Sequence, residues 1–122
     1  GNYFDSDPFQ EAATQWEYNV KSMHAIATSN GAEYFVFLQP TMGLNTNQIP
    51  KNKESNDYKI YKNLPPYYEK NINNLYKELR LKCQKLEYCI DISYKVTPEG
   101  DLYSDARHHN DKGNKKMAKI FK

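Results

Sequence analysis

The chain holds three histidines, and two of them, His108 and His109, stand side by side in "SDARHHNDKG". Asp105 lies three residues before His108. Within a turn, that spacing lets a carboxylate accept from imidazole Nδ1–H. The tautomer is then fixed, imidazolium is stabilised, and Nε2 is left to face a reacting group. This is two thirds of a nucleophilic triad, whose nucleophile can come from elsewhere in a fold. The same residues could instead ligate a metal. Adjacent histidines point to different sides of an extended chain, however, and no third strong ligand is evident beside Asp105, His108 and His109. The sequence is therefore read as carrying no metal site, with His109 as an exposed neighbour. The plain alternative is a polar loop ahead of a C-terminal helix.

The elements that must position this segment follow from periodicity. Phe9, Ala13, Trp16, Val20, Met23 and Ala27 recur at steps of three and four, behind Asp7 as N-cap and Pro8 at the first helical position. Together with the stop at "SNG" they predict a helix over about residues 8–29. "EYFVFLQP" reads as a short strand, apolar on both sides as a strand covered on both faces would be. Residues 41–65 are polar and irregular, a long loop that is either functional or a solvated insertion. A second helix is expected over about 66–86, with Tyr68, Ile72, Leu75, Leu79, Cys83 and Leu86 on one stripe. "YCIDIS" is the second strand, with Asp91 inside it, bonding to nearby backbone or capping a loop. A last helix starts near Asn110, its apolar side made by Met117, Ala118 and Phe121. His24 is a partly buried helix residue.

Helix, strand, helix, strand, helix implies parallel strands joined by crossovers, hence an α/β domain. Two strands do not make a covered parallel sheet alone. The start without Met and the end inside an apolar-periodic run read as a segment of a longer protein. At 122 residues there is room for one domain, and the abundance of Tyr, eleven in all, means a core that leans on aromatic area. A net charge of +2 from scattered Lys and Arg argues against a nucleic-acid partner. "NKKMAK" is the solvated side of a helix rather than a phosphate patch. No apolar run reaches the ~18 residues of a membrane span. Cys83 and Cys89 lack the paired spacing of a zinc site. They fit either a disulfide between a helix end and the next strand or two buried thiols.

"SDARHHNDKGNKKMAKI" resembles the last block of the SGNH (GDSL-type) hydrolases. In that family an Asp-x-x-His motif supplies acid and base, and an Asn, a Gly and a helix follow. Asp105 and His108 match the motif. Asn110, Gly113 and Ala118 fall where the family often has Asn, Gly and Ala. "EYFVFLQP" is similar to the penultimate core strand and "YCIDIS" to the last. The resemblance implies the C-terminal part of a three-layer α/β/α, flavodoxin-like fold over residues 1–122. The family's Gly-Asp-Ser nucleophile block and its oxyanion donors are absent. Ser6 in "FDSD" has no glycine or strand before it and is not read as the nucleophile.

The function this implies is a serine esterase or acyl hydrolase in the complete protein, with Asp105 and His108 acting on an upstream Ser. The segment by itself is expected to be inactive. No metal or organic cofactor is implied. The substrate class is a small ester or an acylated carbohydrate. The loop over 41–65 would lie at the active-site rim, which makes Gln39, Tyr58 and Tyr61 candidate substrate contacts. Two rivals stay open: a non-enzymatic α/β interaction domain, and an acyltransferase that uses the same site to acylate a sugar hydroxyl.

Overall fold

The computed structural model describes residues 7–45, 48–95 and 101–120. Its elements are α1 (Pro8–Ser29), β1 (Val36–Leu38), α2 (Asn56–Lys62), α3 (Tyr68–Cys83), β2 (Cys89–Asp91) and α4 (Asp111–Ile120). The fold is a small α/β arrangement of four helices and one two-stranded parallel sheet among the described residues. The expected element order gains one helix, α2, inside the stretch read as a loop. Two compact units form: Gly1–Leu38 with Asn74–Asp91, and Gln39–Asn73 with Ile92–Lys122.

In the first unit, α1 begins and ends as its local chemistry dictates. The Asp7 side chain accepts from the N–H groups of Phe9 (2.8 Å) and Gln10 (3.3 Å), two of the donors a helix start leaves unpaired. At the other end Gly31 sits at φ +75°. Gly31 N–H donates to Thr28 C=O (3.0 Å) and Ala32 N–H to Ala27 C=O (2.9 Å), the paired closure that favours glycine. Of the predicted stripe, Ala13 and Val20 are buried, whereas Met23 stays 56% exposed. The stripe therefore outruns its cover. The Tyr34 hydroxyl lies 3.9 Å from the Met23 sulfur.

β1 and β2 pair in parallel register, Val36 with Cys89, Phe37 with Ile90 and Leu38 with Asp91. Side-chain alternation puts Phe37 and Ile90 on one face and the other four on the opposite one. Ile90 is 42% exposed, so this face is not covered as a two-sided buried strand would require. Tyr76, Leu79, Cys83 and Leu86 bury the inner side of α3 and its exit. Asp91 has a side-chain partner rather than only the nearby backbone expected of it: its Oδ2 pairs with Arg80 Nε at 3.2 Å, joining β2 to α3. Glu17 likewise ties α1 to α3 through Lys82 at 3.5 Å. His24 is half-buried, stacked on Tyr88 with ring centroids 3.9 Å apart.

Cys83 and Cys89 form a disulfide across a Cα separation of 5.3 Å, which settles the alternative the spacing left open. The bridge joins the last residue of α3 to the first of β2. A closed loop this short constrains the unfolded chain by only about 2 kcal/mol. Reduction, or a Cys83→Ala/Cys89→Ala double variant, is expected to lower stability by about that amount. Equal urea midpoints for the oxidised and reduced protein would refute this.

In the second unit, much of the stretch expected to be either a functional loop or a solvated insertion is core. Pro40, Thr41, Met42, Gly43 and Leu44 are buried, as are Gln48, Pro50, Ser55 and Asp57. Asn73 on α3 stitches this segment down. Its Oδ1 accepts from Asn45 N–H (2.8 Å), and its amide donates to Gly43 C=O (3.0 Å). Gly43 lies at φ +84°, and a Cβ there would press on Glu69 Cγ at 3.1 Å. Both backbone freedom and space therefore call for glycine. α2 starts on a serine cap: Ser55 Oγ accepts from Tyr58 N–H at 3.1 Å.

Candidate active site

Asp105 and His108 lie in the second unit, on the segment between Leu102 and α4. Asp105 Oδ1 accepts the N–H groups of Arg107 and His108, both at 2.9 Å. This is the turn that aspartate makes with backbone just ahead of it. The turn brings the imidazole back over the carboxylate, so His108 Nδ1 stands 2.9 Å from both Asp105 Oδ1 and Oδ2. An ionised carboxylate only accepts, so Nδ1 carries a hydrogen, and in the neutral imidazole Nε2 carries the lone pair. The Arg107 N–H, then the His108 side chain, hold the Asp105 carboxyl below the usual carboxylate range. Among the described residues no group hydrogen-bonds His108 Nε2. The pair is open to solvent, at 75% and 61% side-chain exposure.

Several contacts hold the loop around this pair. The His108 carbonyl accepts from Ser104 N–H at 2.9 Å and from the Ser104 hydroxyl at 3.2 Å. Ser104 thus braces the backbone and does not face the imidazole. Met42 N–H donates to Ala106 C=O at 3.2 Å, so the chain that has just left β1 supports the loop. Tyr103 and His109 form an antiparallel bridge across its base. Asn110 then caps α4, with Oδ1 accepting from Gly113 N–H at 2.9 Å. A Cβ on Gly113 would run into the Leu102 carbonyl and stand 2.9 Å from His109 Cβ. Asn110 and Gly113 therefore have physical work in this motif.

Ala118 does not pack inward. Gly113 and Met117, four apart, form the buried side of α4, and Ala118 is rotated away into solvent. Phe121 lies outside the described residues, as does Ser6.

His109 corrects the expectation of an exposed neighbour. Its ring lies 4.4 Å from that of Tyr103, half-buried, and Nε2 is enclosed without a hydrogen-bond partner among the described residues. Burial pushes its pKa below the usual histidine value, opposed by the nearby Asp57 carboxylate. The two adjacent imidazoles thus have opposite surroundings, as alternation along extended chain predicts. No group of three or more His, Cys, Asp or Glu able to hold a metal ion exists among the described residues.

The residue that sequence reasoning missed is Asp57. It is fully buried in the first turn of α2. Its carboxylate accepts from Leu102 N–H (3.0 Å) and Tyr103 N–H (3.0 Å). Asp101 returns the contact by accepting Asn56 N–H at 3.0 Å. A serine cap followed by Tyr58 and Tyr61 at helical spacing was the available signal. The same lock fastens α2, with Tyr58 and Tyr61, to the stretch leading into the Asp–His turn. Their rings are half-buried, 6.2 Å apart. Gln39 is exposed immediately after β1.

No protein-family model matches the chain, and neither does a curated protein or a solved structure.

Asp57→Ala would bury two unpaired N–H groups and is expected to destabilise the fold by about 3 kcal/mol. Fast exchange of the Leu102 and Tyr103 amides should accompany it, and unchanged protection of both would contradict the assignment. Asp105 contributes differently. Its carboxyl pKa is lowered on folding, so its stabilisation is complete above the unfolded value of about 3.9 and is lost as pH falls through the folded value. The Tm gap between the wild type and Asp105→Asn should therefore be present at about pH 5 and shrink below about pH 4. A gap that widened on acidification would reverse this sign.

Proposed function

We propose that this chain supplies the acid–base half of an SGNH-type ester hydrolase and forms the C-terminal part of its three-layer α/β/α, flavodoxin-like domain. One observation carries the reading: an imidazole whose Nδ1 is held by both oxygens of a carboxylate three residues earlier, in a turn that leads straight into an Asn-capped helix. The parallel pairing of β1 with β2 supports the fold half of the proposal.

In the complete protein a serine from outside this chain attacks the ester carbonyl. His108 Nε2 takes the hydroxyl proton as the Ser–carbon bond forms. Asp105 stabilises the resulting imidazolium, which then protonates the departing alkoxide as the acyl–oxygen bond breaks. Water repeats the sequence on the acyl-enzyme and regenerates the serine. Donors from outside this chain hold the oxyanion. The substrate is a small ester or an acylated carbohydrate.

His108→Ala in the complete protein should lower ester turnover by about 10³-fold or more, and the 122-residue chain alone should show no His108-dependent hydrolysis of p-nitrophenyl acetate. Full-length activity that survives the substitution would remove the proposal. Turnover by the isolated chain would place the nucleophile within it.

A further inference from the structure

The start of α3 breaks two local rules at one residue. Helices favour Ser, Thr, Asp or Asn before the first turn, in extended conformation, with the side chain accepting a backbone N–H. Tyr67 occupies this place with φ +68°, a left-handed conformation that costs a bulky residue energy and suits glycine or asparagine. Its phenol cannot cap. The helix forms nonetheless, with the Tyr67 carbonyl accepting from Asn71 N–H at 2.9 Å. Nor is the ring recovered as core: at 76% it is the most exposed large apolar side chain among the described residues. An exposed ring on strained backbone adds nothing to folding. Such breaks persist where they serve something else.

What the ring does border is a cleft of about 280 Å³, lined also by Tyr61, Tyr68, Lys62, Glu69 and Lys70. Aromatic faces here stand beside ammonium donors and a carboxylate acceptor. The Tyr61 hydroxyl bonds to Glu69, which pushes its pKa up to about 12 and keeps the phenol protonated. A sugar ring needs this combination, because its C–H face stacks on an aromatic face while its hydroxyls both give and take hydrogen bonds. An anion would use the lysines and leave the rings idle.

We propose that this cleft binds a sugar ring of an oligosaccharide, stacked on Tyr67, with its hydroxyls paired to Glu69, Lys62 and Lys70. The proposal concerns binding and does not rest on the ester-hydrolase reading.

The test is a titration of the ¹⁵N-labelled chain with cellotetraose and, as the acidic counterpart, tetragalacturonate, to about 10 mM, followed by amide shifts. Saturable shifts confined to residues 61–70 are expected with at least one of the two. Tyr67→Ala should weaken binding about tenfold or more and Tyr67→Phe by no more than about twofold. Tyr67→Gly should raise Tm by relieving the left-handed strain while losing the ligand. Tyr34→Ala, in the other unit, should leave binding unchanged. No shifts with either sugar, wild-type affinity in Tyr67→Ala, or a Tyr67→Gly protein less stable than the wild type would each overturn the proposal.

Discussion

A carboxylate taken out of water must be met by donors, and much of the second unit is organised around meeting that demand at Asp57. Its oxygens accept the backbone N–H groups of Leu102 and Tyr103, more than forty residues further along the chain. Hydrogen bonds to a charged acceptor are among the stronger ones a fold can make, and breaking one side leaves the other stranded. The contact therefore fixes α2 and the approach to the Asp–His turn as one body. The loop closure needed to bring them together is offset by this lock and by burial of Leu44, Leu102 and Tyr103. The Asp105–His108 geometry is a local consequence, since the turn begins two residues after Tyr103.

The neighbouring histidines show how a single peptide step divides chemistry from packing. His108 points outward and meets a carboxylate that its own turn positions. His109 points inward, against Tyr103 and over the glycine that lets α4 approach Leu102. Burial lowers its pKa and so favours the neutral imidazole on the packed side of the bridge. A bulkier residue at position 113 would displace this imidazole and, through the Tyr103–His109 bridge, the base of the loop that carries the exposed pair.

The first unit is held differently. Its fastenings are short-range or pairwise: a disulfide across six residues of sequence, the Arg80–Asp91 and Glu17–Lys82 ion pairs, and the His24–Tyr88 stack. Both ion pairs are partly buried, with side-chain exposures of 18% to 27%. The bridge fixes where β2 starts relative to the end of α3.

What the sequence by itself determined is local. The bounds of α1, most of the α3 stripe, the two strands, the start of the last helix near Asn110 and the spacing of Asp105 from His108 were all legible. Each is set within one helical turn or by a simple period. Residues 41–65 are not legible as core, because their polar composition suits a functional loop or a solvated insertion equally well. Their Asn, Ser and Asp side chains bond to backbone, and the buried Met42 and Leu44 are too few to set a helical period. Only the tertiary structure decided that this stretch is core, that Asp57 is its lock, that His109 rather than His108 is enclosed, and that Cys83 meets Cys89. Each of these outcomes depends on what stands opposite a side chain in space, and partners brought together by chain closure leave no mark in the neighbouring letters.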